Sequence, residues 1–408
     1  MLYADLCLAL ALAWLFGQGL GRFGLPAVMG ELIAGVLIGP SLLGHTGWHF
    51  TKSQLVDLNT VGQLGVIALV GVTGMSLNLS TLRRRGRTAA WVSATGVLLP
   101  LALGVGVGLL LPLRLLAGPS GDRAPFALFI GVALCVSAIP VIGRILLDLR
   151  LTERRVGQLI LIAGVIDGAI GWTLLSVVSA MATTGVRPGA VALFVIKLVG
   201  ALLVAVLVGR RVVRLVLGVT GDAGAIVLVL GGAAATNALG LEPILGAFVV
   251  GALIGAERPE AVSALRPVVA VLAPVFFVLA GLKVDLGRLA QLPVLLAGAA
   301  VLALAIAGKF AGAYLGARMS RLGRWEAIAL GAGLNARGAV EVVVASTGLT
   351  LGVLNSASYT IIVLVAIVTS LMAAPVLRVA MRRVDAEALT DVKREVSDPR
   401  PIRSRRLP

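Results

Sequence analysis

Apolar runs of about twenty residues recur along this chain, and they decide what it can become. The first is 1-MLYADLCLALALAWLFGQGL-20. Thirteen such segments can be marked off, at about 2–21, 25–44, 57–79, 88–112, 124–147, 156–184, 189–208, 220–239, 241–257, 265–285, 291–317, 325–349 and 356–378. A helix rises 1.5 Å per residue, so roughly 20 apolar residues cross the hydrocarbon core of a bilayer. Membrane strands would instead show alternating ten-residue segments. Composition points the same way. The chain is 59% hydrophobic and 13% charged, whereas a soluble domain is about half apolar and about a quarter charged. The expected fold class is all-α, a polytopic membrane protein of about 13 transmembrane helices.

The net charge of +16 raises the question of nucleic acid. The positions of the basic residues answer against it, because they cluster in short loops between apolar segments. Alternate loops hold sixteen of them (Arg22; Arg83, Arg84, Arg85, Arg87; Arg150, Arg154, Arg155; Arg210, Arg211, Arg214; Arg258, Arg266; Arg318, Arg321, Arg324). The intervening loops hold six (Lys52, Arg114, Arg123, Arg187, Lys283, Arg288). Positive residues stay on the cytoplasmic side. The expectation is a multi-pass protein of the cell membrane with its N-terminus outside and its C-terminus in the cytoplasm. The N-terminus lacks a basic leader and reads as a first span. Cys7 and Cys135 lie in apolar runs and are expected to be free thiols. His45 and His49 in 45-HTGWH-49 have no third ligand nearby, so no metal site is expected. Without HExxH, GxSxG or a Walker-type loop, neither an enzyme nor a bound cofactor is expected.

The two halves repeat. The stretch 29-MGELIAGVLIGPS-41 matches 245-LGAFVVGALIGAE-257, and 74-GMSLNLSTL-82 matches 281-GLKVDLGRL-289. More weakly, 131-GVALCVSAIPVIG-143 matches 331-GAGLNARGAVEVV-343. By the loop charges the matched spans run in opposite directions, which makes the repeats inverted. Inverted repeats are typical of secondary transporters, with broken helices near the midplane. The expected organisation is a transmembrane domain over 1–384, with repeats at about 25–184 and 241–378, and a disordered cytoplasmic tail over 385–408. Pro140 and the glycine-rich 335-NARGAVE-341 mark the expected breaks.

A charge at bilayer depth is costly and usually functional. Asp167, in 161-LIAGVIDGAIGW-172, is the leading candidate for an ion- or proton-binding carboxylate; a structural ion pair is the other reading. Lys309, in 301-VLALAIAGKFAGAYLGAR-318, needs an acidic partner or must lose its proton, and Asp167 is the natural one. Ser137 and Asn335 offer uncharged oxygens of the kind hard cations favour. Arg337 and Glu341 lie four apart and are expected to form a supporting ion pair on one helix face, with direct ion coordination as the alternative. Glu31 suits helix packing or a dimer contact better than transport chemistry. Lys197 can snorkel and receives no role.

At these residues the chain resembles the monovalent cation:proton antiporter-2 family. The stretches 28-VMGELIAGVLIGPSLLG-44, 276-FFVLAGLKVDL-286, 137-SAIPVIGRIL-146, 335-NARGAVEVVVA-345 and the lysine of GKFAGAYLGAR carry the resemblance, over about residues 5–380. It implies a homodimer in a lipid bilayer, with a mobile core that exchanges protons for sodium or potassium. It also implies paired residues on the ion-binding helix, of which the second is the cation carboxylate. Here Asp167 holds the first place and Gly168 the second, and Ser76 in 74-GMSLN-78 replaces another acidic residue. Three readings follow: Asp167 does both jobs, the substrate is a different cation, or transport is lost and the protein binds or regulates.

Overall fold

The computed structural model describes residues 2–22, 27–39, 51–75, 79–152, 154–184 and 188–397. His45, His49 and Ser76 lie outside the described residues. Nearly all of the described chain is helical. The N-terminal half holds α1 (Leu2–Gly21), α2 (Ala27–Ile38), α3 (Lys52–Met75), α4 (Leu79–Leu110), the short α5 (Leu113–Leu116), α6 (Arg123–Cys135), α7 (Ile139–Asp148) and α8 (Arg155–Thr184). A linker follows, made of α9 (Pro188–Val204), a π-helical turn (Ala205–Gly209) and α10 (Arg210–Thr220). The C-terminal half holds α11 (Gly224–Ala238), α12 (Pro243–Glu257), α13 (Val262–Leu282), α14 (Leu292–Met319), α15 (Arg324–Leu334), α16 (Ala339–Thr350) and α17 (Ser356–Ser397). In lipid the backbone must satisfy its own polar groups, so these apolar segments have no other stable form. Within the described residues, each of the thirteen apolar segments falls on a helix or a helix pair. Six helices among the described residues are long and apolar enough to cross a membrane on their own, and the pair α15–α16, bent by 44°, makes a seventh.

The helices sort into two packed groups. In one, α2 packs on α1 and α13, and α12 packs on α11 and α3. In the other, α4 packs on α6 and α8, and α14 packs on α15 and α17. Exchanging the two halves of the chain maps each of these contacts onto another. Two further pairs, α3 with α13 and α4 with α14, map onto themselves. The repeat legible in the sequence is therefore also a repeat of packing.

Glycines explain why the repeat sits where it does. A Cβ on Gly35 of α2 would run into the Val278 carbonyl, and one on Gly281 of α13 would run into that of Leu32. In the other half, a Cβ on Gly251 of α12 would strike the Gly71 carbonyl, and one on Gly74 of α3 would strike that of Phe248. The matched glycines do the same work, letting backbones touch where lipid gives no hydrophobic drive to pack.

The linker changes allegiance along its length. Its first part, α9, packs on α8 of the second group, while α10 packs on α11 and α12 of the first. Ion pairs fasten this lower end: Arg214 Nε to Glu257 at 3.0 Å, Arg210 Nε to Glu257 at 3.5 Å and Arg258 Nη1 to Asp222 at 3.5 Å.

Two features differ from the sequence reading. Pro140 does not kink a continuous helix. It sits in the first turn of α7, where its missing N–H costs nothing. The chain does not leave helix at 385 either, because α17 continues to Ser397. Residues 398–408 lie outside the described residues.

Candidate functional site

Two helix breaks meet in the middle of the second group. The chain is non-helical at 136–138 between α6 and α7, and again at 335–338 between α15 and α16. The two breaks touch, with Ala138 N donating to Ala336 O at 3.1 Å and Ser137 Oγ to Leu334 O at 2.8 Å. A broken helix leaves carbonyls at one end and N–H groups at the other without intrahelical partners. Polar side chains converge on these ends.

Asp167 of α8 is fully buried beside this crossing. Its carboxylate accepts from Ser93 Oγ at 2.5 Å, from Ser137 Oγ at 2.9 Å and from Lys309 Nζ at 2.7 Å. Glycines on α8 bring it there. A Cβ on Gly171 would press on Val136, and one on Gly164 would meet Ile142, so α8 lies flush against the α6–α7 break. Lys309 is equally buried and is held by the Cys135 carbonyl at 2.6 Å and the Gly96 carbonyl at 3.0 Å. Cys135 ends α6, so the ammonium also neutralises the negative end of that half-helix. Small residues again allow this, because Gly312 and Gly316 let α14 lie against Thr95 and Trp91 of α4.

The structure corrects the Arg337–Glu341 expectation. The two side chains form no salt bridge. The i,i+4 geometry needs a continuous helix, but α16 starts only at Ala339, and Gly338 has φ +156°, a value L side chains rarely adopt. Arg337 turns instead to the Ala133 carbonyl at 2.8 Å and the Ala305 carbonyl at 3.1 Å, and its backbone pairs with Ser370. Glu341 accepts from Gly338 N at 2.7 Å, which caps the positive end of α16. The crossing thus holds two acids and two bases, all buried. Not all of their polar atoms are paired: Asn335 Oδ1 and Nδ2, Arg337 Nε and Glu341 Oε1 make no hydrogen bond. An unpaired buried polar group costs about 1–3 kcal/mol.

Glu31 is buried on α2, one residue beyond Gly30, whose Cα lies against the Phe16 carbonyl of α1. It does not join the cluster. Gly168 is buried too, and a Cβ there would meet only Ile139 Cδ1, at 3.4 Å. The position next to Asp167 therefore faces the start of α7 and has room for a side chain. Sequence reasoning missed Ser93, Ser370 and the Cys135 and Gly96 carbonyls. A lone serine in an apolar span is a faint signal, and a carbonyl carries none.

Between the two groups, a cavity of about 200 Å³ is lined by Asn59, Gln63, Glu242, Lys283, Ser346 and Thr347, among others. Deeper, the groups close on each other through Val66, Val70, Trp172, Phe277 and Val340.

Inverted repeats around two crossed, broken helices, with a buried acid–base pair at the crossing, define a membrane transport protein of the secondary type. A family model described as "Sodium/hydrogen exchanger, transmembrane" matches residues 7–383. The chain belongs to the sodium/hydrogen exchanger family. It is 31% identical over 393 residues to the Na(+)/H(+) antiporter NhaS4 of Synechocystis sp., covering 92% of this chain and 96% of that one. It is 32% identical to Cation/H(+) antiporter 18 of Arabidopsis thaliana, over 86% of this chain but 45% of that protein, so it spans about half the length of the plant relatives. The structure of the sodium proton antiporter MjNhaP1 from Methanocaldococcus jannaschii matches with a TM-score of 0.70 at 18% identity, over 93% of this chain and 98% of that one. The fold of that antiporter is the fold of this chain. The family is one of transporters, and this is a multi-pass membrane protein.

Proposed function

We propose that the protein exchanges protons for a monovalent cation, sodium or potassium, by alternating access, with Asp167 as the group both ions compete for. The carrying observation is a fully buried carboxylate whose ligands are two hydroxyls and one ammonium at the crossing of two broken helices. Such a group resists crossing the barrier as a bare charge. It crosses when it is protonated or bound to a cation, and it pairs with Lys309 when it carries neither. Ser137 and Asn335 supply oxygen ligands, and the unpaired amide of Asn335 supports that role. Arg337 and Glu341 hold the ends of the half-helices.

Charge counting adds a stoichiometry. Asp167 and Glu341 balance Lys309 and Arg337. One proton or one monovalent cation on Asp167 adds the same single charge. With Gly168 in place of a second carboxylate, the exchange is one for one and electroneutral. The group containing Asp167 moves as the core against the group containing α2 and α12. The protein works as a homodimer with its N-terminus outside and its basic loops and C-terminus in the cytoplasm.

The test is proton flux in proteoliposomes, with an acid interior and sodium, potassium, lithium or an organic cation outside. Asp167→Asn should fold and abolish cation-dependent flux; unchanged flux in that variant would sink the proposal. A second reading rests on Gly168, which removes the family's expected cation ligand. It makes the chain a non-transporting binding or regulatory protein, and predicts silence from folded wild type with every cation.

A further inference from the structure

A second cavity, of about 470 Å³, lies away from Asp167, between α9 and the hairpin of α11 and α12. That volume falls in the range of roughly 300–1,000 Å³ that holds ligand-sized molecules. Ala201, Val204 and Ala205 form one wall, and Ala235, Leu245 and Val250 form another. Its polar side chains are Lys197 and Thr236. The Thr236 hydroxyl is spent on the Gly232 and Ala233 carbonyls of its own helix. The interior therefore suits hydrocarbon.

Lys197 is the exception. It is exposed, on a face where Leu193, Ile196 and Val199 are exposed as well. Such a face of a membrane helix meets lipid. Its Nζ donates to the Leu239 carbonyl at 3.3 Å, just past the end of α11. An ammonium has three donors, and a lysine in an apolar helix can snorkel its charge along apolar surface toward a polar partner. A single positive charge at the rim of an apolar crevice matches a molecule with one anionic head and a long apolar tail.

We infer that this crevice binds an anionic phospholipid, with one acyl chain between α9 and the α11–α12 hairpin and the phosphate on Lys197. The site adjoins the π-helical turn that begins at Ala205, where the linker passes from one helix group to the other. Binding itself does not depend on the transport reading.

Native mass spectrometry of the full-length protein in detergent tests this, with phosphatidylglycerol and phosphatidylcholine of identical chains as probes. One lysine contact with an anionic headgroup corresponds to about a fivefold preference for phosphatidylglycerol. In Lys197→Gln that preference should vanish. In Gly200→Leu both lipids should bind less, because a Cβ at Gly200 meets nothing within 4 Å and the new bulk enters open space. Thermal unfolding of each variant checks that it folds. An unchanged preference in Lys197→Gln, or unchanged binding in folded Gly200→Leu, would mean adventitious lipid only and overturn the inference. A shift in the monomer–dimer ratio with lipid binding unaltered would overturn it too, by assigning the face to a second copy of the chain.

Discussion

Lys309→Met isolates the energetic heart of the site. The substitution keeps an apolar stem of similar length and removes three bonds, to Asp167 at 2.7 Å, Cys135 O at 2.6 Å and Gly96 O at 3.0 Å. Asp167 would keep Ser93 and Ser137 but lose its counter-charge while still fully buried. Breaking a buried pair from one side costs about 3–5 kcal/mol, whereas replacing the whole pair is often neutral. The Gly96 carbonyl keeps its place in α4, so the loss falls mainly on the carboxylate. Asp167→Asn with Lys309→Met should therefore recover most of the stability, since the amide oxygen can accept from one serine while its NH2 donates to the hydroxyl oxygen of the other. Unfolding free energies from an SDS titration, arranged as a double-mutant cycle, should give a coupling of at least about 2 kcal/mol. A coupling below about 0.5 kcal/mol would refute the claim that the two charges form one electrostatic unit.

Other consequences are open to measurement. Gly168→Asp has room for its first carbon and should add a second titrating group; proton-to-cation stoichiometry measured against membrane potential should then rise above one. Gly35→Ala should cost about 1–3 kcal/mol by overpacking against the Val278 backbone. Gly106→Ala meets nothing within 4 Å and should be silent, with thermal unfolding as the readout for both. At the far end of α17, Arg154 grips Asp385 with Nη2–Oδ1 at 2.5 Å and Nη1–Oδ2 at 3.2 Å. The hydrogen bond to Asp385 raises the Arg154 guanidinium above its usual value. Its share of stability is present below the ordinary arginine range and is lost only as pH rises through a higher value still. Raising the pH to 10 should leave this tether intact. High salt should loosen it, by well under 1 kcal/mol, in hydrogen exchange of the α17 extension.

Much of this molecule was legible in its sequence because lipid leaves a chain few choices. Apolar length alone placed the helices, and the glycines of 29-MGELIAGVLIGPS-41 and 245-LGAFVVGALIGAE-257 placed the repeat. The Asp167–Lys309 contact was legible because a charge deep in an apolar span needs an opposite partner, and the other acid and base of the C-terminal half read as a pair with each other. The Arg337–Glu341 pairing misled because i,i+4 spacing carries meaning only inside a helix, and the glycine of 335-NARGAVE-341 ends one. Ser93 and the Cys135 carbonyl were invisible for a different reason. They serve the site through the approach of α4 and α6, and distances of that kind are set by packing across the bundle. The extension of α17 past 385 was missed because its polar composition reads as tail.

The central claim is that one carboxylate is shared between a proton and a cation. The direct measurement is the apparent cation affinity for exchange in proteoliposomes as a function of pH. Competition for a single site predicts that the half-saturating cation concentration rises about tenfold for each unit of falling pH on the acid side, while the maximal rate stays level. An affinity indifferent to pH, or a dependence twice as steep, would contradict a single shared Asp167.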